Sequence, residues 1–199
     1  MADKYGVLGK SLPHSYSPQI HKSFGSYEYT ILERSEEQVH AMFEGKEDLK
    51  GFNVTIPYKK LAMSLCTELS DEASEVGAVN TVVALPGGGF KGYNTDVYGF
   101  IYMLERENIE ISGRNCLVLG TGGASVAIVY ALKQLGAGKI TFCSRSGDVN
   151  YENCYDVCAD TQVIVNTTPV GMYPNVDSSP IVLEKFNNLE AVADIVYNP

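Results

Sequence analysis

The sequence predicts an α/β fold in two parts. Residues 1–100 form an N-terminal α/β domain with a mixed, mainly parallel sheet, and residues 101–199 form a second domain on parallel strands. Three observations predict it. Short apolar runs alternate with helix-like segments along the whole chain, the pattern of strands joined by crossover helices. The composition is that of an ordinary globular protein, 45% hydrophobic and 20% charged over 199 residues, long enough for a substantial core. Beyond the midpoint, a continuous apolar run enters a glycine-rich turn and then a helix of small residues, the opening of a nucleotide-binding βαβ unit.

In the first half, residues 5–8, 27–32, 51–55 and 81–85 read as strands, and the stretches after Ser17, Ser35 and Pro57 read as helices. Pro18 suits a first helical position, which makes Ser17 the expected N-cap. Pro86-Gly87-Gly88-Gly89 closes a hairpin from 81–85 to 90–93, and one antiparallel edge in a mixed sheet fits it. Residues 95–108 carry Val97, Phe100, Ile101 and Leu104 at helical spacing and bridge the two domains. After a connection at 109–114 containing a Ser-Gly turn comes a strand at 115–119, a turn at 120–123 and a helix at 124–135. Gly136 and Gly138 stop that helix, and further strands follow at 139–143, 162–166 and 191–196.

A net charge of −9 with dispersed lysines argues against nucleic acid or an anionic membrane as partner. If the ligand is an anion, local groups must overcome the global charge. No apolar run approaches the roughly 18 residues of a membrane span, and the N-terminus lacks the apolar region of a signal peptide. The five cysteines (Cys66, Cys116, Cys143, Cys154, Cys158) are odd in number and contain no Cys-x-x-Cys pair. They read as reduced, structural thiols of a cytoplasmic protein. His14, His21 and His40 are not spaced with them as metal ligands would be, so no metal site is expected.

The chemistry concentrates in a few places. Gly120-Thr121-Gly122-Gly123-Ala124-Ser125 lies between strand and helix, where glycines let backbone N–H groups approach a pyrophosphate at a helix N-terminus. Ser125 replaces the third glycine of the G-x-G-x-x-G pattern. The end of the next strand, where an NAD-binding fold places a carboxylate, reads Ser144-Arg145-Ser146. A guanidinium between two hydroxyls suits a 2′-phosphate and points to NADP(H), although no second basic residue follows in 147–153. Nearer the N-terminus, Ser15 and Ser17 precede a helix, and Asn53 and Thr55 share one face at a strand's carboxyl end, with Lys59 one turn into the next helix. Asn80 and Asp96 lie in polar turns flanking the hairpin, and a lysine–aspartate pair beside a ketone or alcohol can move the proton that accompanies hydride transfer.

Together these residues resemble shikimate dehydrogenase. The resemblance is carried by Ser15-x-Ser17-Pro18, Asn53-Val54-Thr55-Ile56-Pro57-x-Lys59, Gly77-Ala78-Val79-Asn80-Thr81, Asn94-Thr95-Asp96, Gly120-x-Gly122-Gly123-Ala124, Asn166-Thr167-Thr168-Pro169-x-Gly171-Met172 and Asp194-Ile195-Val196-Tyr197-Asn198-Pro199. It implies reversible reduction of 3-dehydroshikimate to shikimate by NADPH, in the pathway to chorismate and the aromatic amino acids. It implies a substrate domain and a Rossmann-like NADP domain that meet at a cleft. Ser15 and Ser17 would hold the substrate carboxylate, and Thr55, Asn80 and Asp96 its ring hydroxyls. Lys59 would donate and accept the proton with Asp96 beside it, and Tyr197 would close the substrate side. Gly120, Thr121, Gly122, Gly123 and Ala124 would take the pyrophosphate, and Ser144, Arg145 and Ser146 the ribose phosphate. Asp71, Thr167 and Ile195 would lie near the cofactor, with 167–172 flanking the nicotinamide. Family chains continue past the Tyr-Asn-Pro match with a glutamine substrate ligand and a nicotinamide-side glycine, so an incomplete nucleotide domain is expected. Beside this stand two other readings: an NAD-using quinate/shikimate relative, against which the lack of an acidic residue at 144–146 argues, and a catalytically impaired shikimate-binding fragment. A monomer or homodimer is expected.

Overall fold

The computed structural model describes residues 3–13, 15–45 and 47–196. The chain divides into two compact units, Met1–Thr95 and Asp96–Pro199. The helix expected to bridge the domains therefore belongs to the second unit.

The first unit runs β1 (Lys4–Gly9), α1 (Ser17–Lys22), β2 (Glu28–Glu33), α2 (Glu36–Phe43), β3 (Gly51–Val54), α3 (Lys59–Leu65), β4 (Glu68–Leu69), α4 (Asp71–Val76), β5 (Thr81–Ala84) and β6 (Phe90–Tyr93). Its sheet has the order β2-β1-β3-β5-β6-β4. β5 pairs antiparallel with both β3 and β6, and the other pairings are parallel. The hairpin forms where expected, but its antiparallel strand is internal rather than an edge. The two-residue β4 takes the edge beside β6, and a strand so short leaves no alternation to read.

Local chemistry accounts for the helices. Ser35 and Gln38 form a reciprocal capping box at α2. α4 was not among the expected elements, yet its signals are complete: the Ser70 hydroxyl caps it, Asp71 and Glu72 lie in its first turn, and Gly77 ends it at φ +71°. Its six residues are too few for a periodic pattern. At α1 the expected cap is corrected. Tyr16 already has helical dihedrals and occupies the N-cap position without a side-chain bond, so Ser17 is the first helical residue.

The two faces of this sheet differ. Leu8, Leu32, Phe52, Val54, Val82 and Phe90 point to one side and form a core with Val39 and Met42 of α2, Tyr58 just before α3, Ala62 of α3 and Ala73 of α4. Each buried Leu, Val, Phe or Met among these contributes about 1.5–3 kcal/mol. On the other side, Val7, Asn53, Thr81 and Tyr93 stand in one cross-strand row. α1, which contacts β1 and β2 on their flank, buries none of its own residues.

The second unit runs α5 (Asp96–Arg106), β7 (Asn115–Leu119), α6 (Gly123–Gln134), β8 (Lys139–Cys143), α7 (Cys154–Val157), β9 (Val163–Asn166) and β10 (Ala191–Asp194). Its sheet, β10-β9-β7-β8, is parallel throughout. β9 is buried along its length and β7 in all but its first residue, as in sheets covered on both faces. α6 packs against α5, and its small residues Ala127 and Ala131 are buried. The cysteines are free thiols and four are buried. Burial pushes Cys66 and Cys116 up to about 11 and Cys143 up to about 12, so these thiols stay protonated and inert. Among the described residues no cluster could hold a metal ion, and no helix is long and apolar enough to cross a membrane.

Candidate functional site

In the second unit the chain leaves β7 for β8 on one side and later returns to β9 and β10 on the other. Open parallel sheets bind ligands at such a reversal, beyond the strands' carboxyl ends. A cavity of about 650 Å³ lies there, lined by Gly120, Thr121, Gly122, Ser144, Arg145, Ser146, Tyr151, Thr167, Thr168, Pro169, Val170 and Pro180. The parallel register that sets Leu119 against Cys143 and Asn166 brings the three segments together.

The glycine turn is shaped by what it lacks. Gly120 has φ +95°, and a Cβ there would come within 3.0 Å of Thr168 and 3.2 Å of the Thr167 hydroxyl. Gly122 is the N-cap of α6 and offers no side-chain cap. A Cβ built on Gly122 or Gly123 meets nothing within 4 Å. The helix N-terminus is thus left open, with backbone N–H groups and the positive end of the helix dipole available to an anion. Ser125, at the third glycine position, is buried and donates to the Gly122 carbonyl at 2.7 Å, so the departure from the pattern leaves no buried hydroxyl unpaired.

The far wall is held rigidly. Thr167 donates both its amide (3.0 Å) and its hydroxyl (2.7 Å) to the Leu119 carbonyl, so its side chain serves to join β9 to β7. Asn166 accepts from the Thr168 amide and hydroxyl at 3.0 and 2.7 Å and donates to the Val170 carbonyl and Asp194. The open N-terminus of α6 and the guanidinium of Arg145 form a set suited to a phosphorylated dinucleotide. Gly123 and Ala124 stand behind the lining as the first residues of α6, and Ile195 is bonded through its amide to the Asn166 carbonyl without lining the cavity. Asp71 is exposed at the start of α4 in the first unit. Tyr197 lies outside the described residues. Tyr151 and Pro180 join the cavity from irregular segments, where no local sequence signal marks them.

In the first unit the polar side of the sheet carries a continuous hydrogen-bond chain. The Tyr29 hydroxyl donates to Asn53 Oδ1 at 2.6 Å, and Asn53 Nδ2 donates to Thr81 Oγ1 at 3.2 Å. Thr81 donates to Asn80 Oδ1 at 3.0 Å, and the same oxygen accepts from the Thr95 amide at 2.9 Å and hydroxyl at 3.1 Å. The Ser17 hydroxyl bonds to Tyr29, and burial pushes the Tyr29 phenol up to about 12 against that bond. His21 stacks on Tyr29 at 3.7 Å, its Nδ1 lies 2.8 Å from the Tyr27 hydroxyl, and burial lowers its pKa.

The other expected residues of this unit are held by their own local bonds. Ser15 Oγ accepts from the Ser17 amide at 3.4 Å. Thr55 follows β3, its amide bonded to the Leu8 carbonyl at 2.9 Å. Lys59 opens α3, and its carbonyl accepts from Val79 at 3.0 Å, which fastens the helix start to the turn holding Asn80. Asp96 opens α5 in the second unit. Tyr29 and His21 are not marked by any local pattern; strand pairing of Tyr29 against Tyr5, and of Val7 against Asn53, delivers them.

The family described as the shikimate dehydrogenase substrate binding domain matches residues 7–82. The NADP(+) shikimate dehydrogenase of Clostridium beijerinckii is 38% identical over 216 residues, taking in 98% of this chain and 78% of that protein. Shikimate dehydrogenase 1 of Peptoclostridium difficile superposes with a TM-score of 0.83 at 34% identity, over 99% of this chain and 78% of that one. The shikimate 5-dehydrogenase of Thermus thermophilus, solved with NADP(H) and shikimate, gives a TM-score of 0.83 at 30% identity, over 99% of this chain and 80% of that one.

Proposed function

The chain belongs to the shikimate dehydrogenase family, and from that premise we propose how its residues carry out the reversible, NADPH-dependent reduction of 3-dehydroshikimate to shikimate. It is an NADP-dependent oxidoreductase of aromatic amino acid biosynthesis. The observation that carries the residue assignments is the cavity at the β7/β9 reversal, where an uncapped helix N-terminus and Ser144-Arg145-Ser146 line one space.

Residues 1–100 serve as the substrate and catalytic domain, and residues 101–199 as the NADP domain. Bound NADP(H) supplies or accepts the hydride. The backbone at Gly120 to Ala124 holds the pyrophosphate against the helix dipole. Arg145, with Ser144 and Ser146, pairs with the ribose phosphate, and the absence of a carboxylate at 144–146 supports NADP over NAD. Thr167, by joining β9 to β7, sets the wall beside the nicotinamide, and Asp71 and Ile195 would be further cofactor-side residues. Ser15 and Ser17 hold the substrate carboxylate, and Tyr197 closes that side. Thr55, Asn80 and Asp96 orient the ring hydroxyls. The Lys59 ammonium gives its proton to the oxygen of the carbonyl being reduced and takes it back in the reverse direction, and the Asp96 carboxylate supports that exchange.

The test is shikimate-dependent reduction of NADP⁺, followed by absorbance of the reduced nicotinamide. Turnover that requires both shikimate and NADP⁺ and disappears in Lys59→Ala supports the assignments. Turnover retained in Lys59→Ala removes the proton-transfer role.

A further inference from the structure

We propose that Tyr151 is a second reader of the phosphate on the adenosine ribose, its hydroxyl donating to that phosphate beside Arg145 and thereby favouring NADP(H) over NAD(H). The proposal rests on the reading of the 650 Å³ cavity as the NADP site. It begins from a charge problem. Between residues 144 and 153 Arg145 is the only basic residue, set against Asp148 and Glu152, in a chain of net charge −9. A phosphate dianion offers more acceptor positions than one guanidinium fills, and no other lining residue is basic, so the further partners in the cavity are neutral donors, Ser144 and Ser146 among them.

Tyr151 meets the requirements for such a donor. It lines the same cavity as Ser144, Arg145 and Ser146. Its ring packs on the core cluster that contains the buried Cys143 and Cys154, so the hydroxyl is held by packing and loses little freedom on binding. Burial and the neighbouring thiols raise the phenol's pKa, with the Arg145 guanidinium opposing them. The group therefore stays protonated and able to donate, and its hydroxyl lies within electrostatic reach of the guanidinium. Among the described residues no hydrogen bond engages the Tyr151 hydroxyl. NAD(H) has no phosphate at that position, so this donor distinguishes the two cofactors.

The experiment is calorimetric titration of NADP⁺ and NAD⁺ into the full chain and into Tyr151→Phe, Tyr151→Leu and Arg145→Ala, each checked for an unchanged melting temperature. Tyr151→Phe should weaken NADP⁺ about two- to tenfold, the worth of one hydroxyl donor, and leave NAD⁺ unchanged. Tyr151→Phe that binds both cofactors as the parent does would overturn the proposal. So would a loss for both cofactors seen only in Tyr151→Leu, which would make the ring an adenine platform. Arg145→Ala separates the two levels: if it is selective and Tyr151→Phe is not, only the Tyr151 role falls, and if neither is selective, the cavity is not the phosphate site and both readings fall.

Discussion

β3 and β7 each end at a candidate site, and they do so in opposite ways. β3 (Gly51–Val54) turns Phe52 and Val54 into the core and Asn53 to the polar side, then continues into Thr55 and, through a short turn, Lys59. β7 is buried in all but its first residue and ends at Gly120, with no functional side chain of its own. In the first unit, the proposed recognition rests on side chains joined by hydrogen bonds across strands. In the second, the proposed recognition rests on backbone N–H groups left accessible by missing side chains, plus the charge of Arg145. The first site should therefore fail when atoms are removed, and the second should also fail when atoms are added.

The largest effect expected from that contrast is at Lys59. Lys59→Ala should lower turnover about 10²–10⁴-fold, with a much smaller change in shikimate affinity, because a general acid acts on the transition state. Steady-state kinetics with saturating NADP⁺ separates the two.

In the second unit, adding atoms is the sharper tool. Gly122→Val places a side chain in open space at the helix N-terminus with ordinary dihedrals, φ −76° and ψ −179°. The protein should melt normally but bind NADP⁺ about ten- to a hundredfold more weakly, the loss of charge-assisted backbone bonds. Arg145→Ala should produce a loss of similar size for NADP⁺ and little for NAD⁺. Equal binding by Gly122→Val and the parent would mean that the turn does not receive the pyrophosphate.

Gly120 reads out stability instead. Its φ of +95° and the approach to Thr168 make Gly120→Ala strained, at a cost of about 1–3 kcal/mol in chemical denaturation. Asn80→Ala should cost the first unit a similar amount, because the Thr95 amide and the Thr81 hydroxyl lose their common acceptor. The two differ in kind: Gly120→Ala introduces strain, whereas Asn80→Ala leaves donors unpaired.

The smallest expected effect is a pH dependence. The His21 pKa is lowered from 6.5 by burial, with a bond to Asn53 partly opposing. Between the lowered value and 6.5, the unfolded chain binds a proton that the folded chain resists. Stability from this group is therefore complete above 6.5 and is lost as the pH falls through the lowered value. Thermal melts from about pH 7.5 to about pH 5 should show a shallower decline in His21→Gln than in the parent.

Much of the second unit was legible in the sequence because its instructions are contiguous. The strand over Asn115–Leu119, the glycine turn, the helix of small residues and the strand over Lys139–Cys143 follow one another, each marked by local periodicity or turn chemistry. The family motifs likewise singled out Lys59 and Asn80 as candidates, and Arg145 was singled out by its place at the end of the strand that follows the glycine turn. Other features were not legible locally. The place of β5 inside the sheet depends on its pairing with β3 as well as with its hairpin partner. The bond chain from Tyr29 through Asn53 and Thr81 to Asn80 depends on register among β2, β1, β3 and β5, which a one-residue slip would abolish by turning every side chain to the other face. Tyr151 reaches the cavity only because its ring packs on a core assembled from β7, β8 and β9. Hydrophobic period, caps and glycine turns act over a few bonded neighbours, so the sequence alone determined the longer elements, while the short β4 and α4 escaped it. Register, strand order and the meeting of distant side chains are set by contacts between residues far apart in the chain, and only the tertiary structure decided them.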